Sequence, residues 1–300
     1  MIEAIGVSKR FDKFQALNTV SCKVPEGSIY GMVGSNGAGK STLLRLMTGI
    51  YRPTEGEVLI DGEGVFENIN IKSKIAFVPD ELYFLAGATL ERMSDFYKNV
   101  YKSFDENKAK KLIELFELPS KKTLNTYSKG MRRQAATILA LSCNPDYMFF
   151  DETFDGLDPI MRNLVKKIVC EDVMERNATA VITSHSLREL EDTCDQLALL
   201  HKGGLVMESD VENLKTTLFK VQIAFSQDYD KTKFSKLSML HFSKKGSVAS
   251  MIISGDKEET ISYLMAMNPA LIDILPLSLE EVFTYEMEAL GYSFQEVMEG

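Results

Sequence analysis

Residues Gly34-Ser35-Asn36-Gly37-Ala38-Gly39-Lys40-Ser41 match G-x-x-x-x-G-K-[ST], a pattern whose glycines let successive backbone N–H groups converge on phosphate oxygens. An apolar run, Ile29 to Val33, precedes it and a helical pattern, Lys40 to Gly49, follows. That setting adds the partial positive charge of a helix N-terminus to the full charge of Lys40. Ser41 is placed to hold Mg²⁺ through its hydroxyl and Thr42 to touch a phosphate. A glycine-rich turn that merely caps a helix is the plainer alternative, and the strand and helix on either side argue against it.

A second apolar run, Tyr147 to Phe150, ends in Asp151-Glu152. At the carboxyl end of a strand beside the phosphate loop, Asp151 would join the Mg²⁺ shell, and Glu152 could orient and deprotonate the water that attacks a γ-phosphate. Taken alone, an acidic pair after such a run is more simply a strand leaving the core.

These residues need a scaffold of strands and crossover helices. Ala178 to Thr183 repeats the uninterrupted apolar pattern of a parallel strand buried on both faces, and Pro159 opens a helix to about Glu175 that supplies the crossover. Val20–Val24, Glu57–Ile60 and Ile75–Val78 read as further strands, the last stopped by Pro79. From Leu82 to about Cys143 the pattern is helical, with segments near Thr89–Tyr101, Asp105–Phe116 and Ser128–Ser142. Leu197–His201 and Leu205–Glu208 read as a terminal hairpin. A helix at Asp210–Leu218 then leads to strands at Phe219–Phe225, Leu237–Phe242, Val248–Ile253 and Ala270–Leu275, with helices at Lys257–Met267 and Ser278–Ala289, an order compatible with a ferredoxin-like unit.

The chain's 300 residues carry 34 Lys and Arg against 43 Asp and Glu, a net charge of -9 that is the wrong sign for wrapping nucleic acid. Cys22, Cys143, Cys170 and Cys194 form no C-x-x-C pair, so they read as reduced thiols rather than a zinc cage or disulfide framework. No secretory start and no uncharged run of about 18 apolar residues is found, so the chain is not expected to cross a membrane by itself.

From Met1 to about Glu208 the chain resembles the ATP-binding cassette (ABC) ATPases, with further motifs in the family's order. Phe11 takes the place of the aromatic that stacks on adenine, with Phe14 as a rival. Ile75 to Asp80 matches the strand into the glutamine loop, Tyr127-Ser128-Lys129-Gly130-Met131 the signature, Phe154-Asp155-Gly156-Leu157-Asp158 the interface loop, and His185 the switch histidine that bonds the γ-phosphate. Asp80 departs from the usual glutamine, and Lys129 from the first signature glycine.

The resemblance implies an α/β P-loop NTPase nucleotide-binding domain over 1–209, a helical subdomain at about 82–145, a linker helix at 210–218 and a small accessory α+β domain at 219–300. It implies ATP and Mg²⁺ as cofactors. Catalysis falls to Glu152 and His185. Nucleotide contacts fall to Phe11, Gly34, Asn36, Gly37, Ala38, Gly39, Lys40, Ser41, Thr42, Ser128, Gly130 and Asp158, and the metal to Ser41, Asp80 and Asp151. Two subunits head to tail, alike or related, would sandwich two ATP molecules between phosphate loop and signature.

The single cassette, the Ser-Lys-Gly-Met signature, Asp80 and the Leu279-Glu280-Glu281-Val282-Phe283 ending together are similar to the motor subunits of bacterial ABC-2-type exporters. Such subunits work in the cytoplasm, peripheral on the inner face of the cell membrane, and drive separate transmembrane subunits that expel drugs, antimicrobial peptides or envelope components. Leu82, Tyr83, Phe84 and Leu85 form an apolar cluster suited either to that membrane partner or to burial in the subdomain. A reading of a different class is a soluble ATPase switch that acts on a non-membrane partner through the C-terminal domain.

Overall fold

Four parallel strands end side by side at one edge of a sheet, and each is followed by a segment that the sequence marks for chemistry. The computed structural model describes residues 1–213, 218–275, 277–289 and 291–293, which fall into two units, Met1–Glu208 and Ser209–Gly300. The first runs β1 (Ile2–Phe11), β2 (Phe14–Val24), β3 (Ile29–Val33), α1 (Lys40–Met47), β4 (Glu55–Ile60), β5 (Glu63–Gly64), α2 (Ile69–Lys72) and β6 (Ile75–Val78). It continues through α3 (Leu90–Val100), α4 (Glu106–Leu115), α5 (Lys129–Ser142), β7 (Tyr147–Asp151), α6 (Pro159–Arg176), β8 (Thr179–Ser184), α7 (Leu187–Leu190), β9 (Gln196–His201) and β10 (Gly204–Asp210).

The central sheet has the order β10-β9-β3-β8-β7-β6, and β3, β8, β7 and β6 are mutually parallel. Every residue of β3, β7 and β8 is buried, as strands covered on both faces require. The phosphate loop follows β3, Glu152 follows β7, His185 follows β8 and Asp80 lies just beyond β6, so one sheet edge gathers all four. The helices between them start where their caps dictate. Asp158 accepts from the Ile160 and Met161 N–H groups at 3.1 and 3.0 Å ahead of Pro159, and Ser128 accepts from Met131 N–H at 3.2 Å.

Beside this sheet lies an antiparallel one, β2-β1-β4-β5, of which the sequence reading found only Val20–Val24 and Glu57–Ile60. β1 went unread because its pairing with β2 shifts register between Ala4 and Val7, Val7 and Lys9, and Lys9 and Arg10, which breaks the alternation that marks a strand.

In the second unit β11 (Leu218–Ala224), β12 (Met239–Lys245), β13 (Val248–Ser254) and β14 (Leu271–Leu275) pair antiparallel in the order β12-β13-β11-β14. This is the ferredoxin-like order, with a 3-10 turn at Lys231–Phe234 where the first crossover helix would stand. The expected linker helix at 210–218 is only partly visible: Asp210 closes β10, Leu218 opens β11, and residues 214–217 lie outside the described residues. No helix among the described residues is long and apolar enough to cross a membrane.

Candidate functional site

The phosphate loop wraps a cavity of about 240 Å³ lined by Asn36, Gly37, Ala38, Gly39, Lys40, Ser41 and Thr42, together with Phe14, Ala16, Asp80 and Glu152. Gly39 has φ 107°, and a Cβ there would lie 2.7 Å from the Leu17 side chain, so only glycine lets the loop turn into α1. Gly34 stands behind the cavity, where a Cβ would strike the Leu200 carbonyl. Lys40 is 4% exposed; its ammonium donates to the Gly34 and Ser35 carbonyls at 2.6 and 3.2 Å and pairs with Glu152 at 3.1 Å. A buried, paired cation on a glycine-rich loop at the start of α1 suits the cavity to a polyphosphate.

Ser41 and Thr183 both donate to Asp151 Oδ1, at 2.9 and 2.8 Å. Burial pushes the Asp151 carboxyl up from its ordinary range, and the Thr183 and Ser41 hydroxyls pull it part of the way back. Its Oδ2 is buried with no hydrogen-bond partner among the described residues. An orphaned carboxylate oxygen next to a serine hydroxyl fits a hard divalent cation such as Mg²⁺.

Glu152 follows in a left-handed turn, φ 48°, which takes it out of the strand and turns it toward Lys40 and His185. Its Oε2 lies 3.0 Å from His185 Nδ1, and Asp155 Oδ2 lies 2.8 Å from the same nitrogen. Burial alone would push the Glu152 carboxyl up. Hydrogen bonds from Asp155 and His185 and the Lys40 ammonium outweigh it and hold the group well below the carboxylate range. Asp155 moves the other way: burial, then the neighbouring Glu152 and Glu189 carboxylates, push its carboxyl far up.

The other sequence-marked residues divide. Asp80 lines the cavity, but its Oδ1 pairs with the Arg133 guanidinium, a competitor for the metal role read in the sequence. For the adenine-stacking aromatic, the cavity wall holds Phe14, which is 65% exposed, and not Phe11. Phe11 instead packs edge-on against Tyr51 at 5.3 Å and stands directly opposite Phe14 in the β1–β2 register. Ser128, Gly130 and Asp158 do not line the cavity; the first and last cap helices, and Gly130 lies close enough to the Gly156 carbonyl that a Cβ would sit 3.3 Å from it.

Sequence reasoning passed over Thr183, Arg133 and Glu189, and placed Asp155 in the interface loop rather than beside Glu152. Thr183 left a signal, a hydroxyl at the end of an otherwise apolar strand. Arg133 left none, since a charge within a helix reads as solvated, yet its side chain is 3% exposed.

Residues 17–155 match the family model described as ABC transporter. The chain is 31% identical over 284 residues to the ABC transporter ATP-binding protein YtrB of Bacillus subtilis, covering 94% of this chain and 97% of that one. It is also 31% identical over 219 residues to the bacitracin transport ATP-binding protein BcrA of Enterococcus faecalis, covering 71% of this chain and 70% of that one. Among solved structures, an ATP-binding subunit of an ABC transporter superposes with a TM-score of 0.66 at 23% identity, over 72% of this chain and 92% of the other. The dimeric post-hydrolysis state of the cassette MJ0796 bound to ADP and Pi superposes with 0.63 at 24% identity, over 70% and 99%.

Proposed function

Because this chain belongs to the ATP-binding cassette family of transporter ATPases, we propose that it is the motor of a membrane exporter whose transmembrane subunits are separate chains. Its activity is ATP hydrolysis, and one observation carries the assignment of roles: the Glu152 carboxylate is held in the phosphate-loop cavity between Lys40 at 3.1 Å and His185 at 3.0 Å.

The loop N–H groups and Lys40 bind the triphosphate. Ser41 and Asp151 would hold Mg²⁺, which when bound would supply positive charge against the polyphosphate. As phosphate oxygens draw Lys40 toward them, Glu152 loses one of the groups that, after Asp155 and His185, hold its carboxyl low, and it gains basicity toward the attacking water. His185, 55% exposed, is free to turn one ring nitrogen to the γ-phosphate while the other stays on Glu152.

Ser128 and Gly130 open a 14-residue helix whose N-terminus is an anion site away from this chain's own cavity, which supports a nucleotide sandwich with a second copy or a related ATPase. Tyr83 and Leu85, 85% and 48% exposed just past Asp80, support a docking place for a membrane subunit and so a peripheral location on the inner face of the cell membrane. A bacitracin transport protein among the relatives supports export, with drugs, antimicrobial peptides or envelope components as cargo. Affinity purification from solubilised native membranes tests this reading. Stoichiometric recovery of a multi-span protein, reduced by Phe84→Asp while ATP binding persists, is expected; a soluble partner alone would overturn the transport reading.

A further inference from the structure

Arg133 has no part in the chemistry described so far, yet it joins two of the loops that surround it, the one after β6 and the one after β7. From α5 its buried guanidinium donates through Nη2 to Asp80 Oδ1 and through Nη1 to the backbone carbonyls of both Glu152 and Asp155. A lysine, a single point charge, cannot serve three acceptors arranged this way, whereas the planar fork of arginine can.

Glu152 is the residue most exposed to this grip. Its left-handed turn, φ 48°, removes it from the β7 ladder, so its peptide groups depend on other partners. Its N–H donates to Thr183 Oγ1 at 3.0 Å, and its carbonyl accepts from Asp155 N–H at 3.2 Å and from Arg133. Without Arg133 the carbonyl side of the residue that carries the base is held by one loop amide alone.

Charge completes the unit. A buried guanidinium on carbonyls alone is poorly compensated, and Asp80 supplies the anion. The carboxylate that departs from the expected glutamine is thus matched inside the same chain. We infer that Arg133 is a positioning residue: it fixes the Glu152 carboxylate and makes that position depend on the Asp80 loop. This rests on the assignment of Glu152 as the base.

The test is steady-state Mg²⁺-ATPase kinetics of the full chain as wild type, Arg133→Gln, Arg133→Lys, Asp80→Asn, the double variant Asp80→Gln with Arg133→Gln, and Glu152→Gln, each with a thermal unfolding curve. Arg133→Gln should lower kcat on the order of 10- to 100-fold while KM for ATP stays within about threefold, and Arg133→Lys should recover little of the loss. The double variant should lose no more than Arg133→Gln alone, because both changes act on one contact. Should Arg133→Gln fail to fold, the double variant, which removes both charges, and Asp80→Asn carry the comparison, and each is expected below wild-type kcat. Wild-type kcat in Arg133→Gln or in the double variant, with turnover abolished in Glu152→Gln, would overturn the inference and leave the base in place. Wild-type turnover in Glu152→Gln would overturn both.

Discussion

The Ser41 hydroxyl donates to Asp151 Oδ1 at 2.9 Å, joining the first turn of α1 to the end of β7 across 110 residues of chain. The contact leaves Oδ2 buried without a partner, an acceptor that nothing else among the described residues uses. Asp151→Asn replaces one carboxylate oxygen by a donor. It is expected to raise the Mg²⁺ concentration for half-maximal turnover by at least about tenfold, while Mg²⁺-free nucleotide binding is little changed. A Mg²⁺ titration of the ATPase checks this, and an unchanged midpoint would contradict it.

Lys40 is expected to matter for binding before it matters for turnover. Lys40→Ala removes the buried cation and two hydrogen bonds within the loop, and ATP affinity should fall by roughly 10- to 100-fold. Titration with a fluorescent ATP analogue measures it; equal affinity would remove the phosphate-loop assignment.

Asp155 should leave a mark on stability against pH. Burial and its carboxylate neighbours push its carboxyl far above the ordinary range, whereas in the unfolded chain it ionises near pH 4. The stability it contributes is complete below about pH 4 and is lost as pH rises toward the folded value. Asparagine stays neutral throughout. Asp155→Asn is therefore expected to melt above wild type at about pH 8, with the gap narrowing toward about pH 5. Parallel melting-temperature profiles for the two proteins would count against a raised Asp155 carboxyl.

The C-terminal unit can be tested through its core. Phe234 is fully buried, with ring centroids 5.9 Å from Tyr229 and 6.1 Å from Phe242. Phe234→Ala is expected to destabilise by about 3–5 kcal/mol, visible as a lower calorimetric transition. A loss below about 1 kcal/mol would mean that this cluster does not hold the unit together.

The residues that carry charge to phosphate were legible because their types and spacing are demanded by local backbone: Gly34 to Ser41 must turn between a strand and a helix, and Asp151-Glu152 must end a fully buried run. What stayed hidden depends on tertiary neighbours. The bulged β1 has no clean alternation to read, and the choice between Phe11 and Phe14 turns on which of two cross-strand partners reaches the cavity. Arg133 acquires its meaning only when α5 is packed beside the Asp80 loop, and no period in the sequence marks that.

Hydrolysis by this protein turns on Glu152 as the base. Its most direct test is ATP turnover and nucleotide retention by purified Glu152→Gln beside wild type, both with Mg²⁺. Hydrolysis is expected to fall by at least about 100-fold, with ATP still bound and unhydrolysed on the variant. Hydrolysis at the wild-type rate would contradict it.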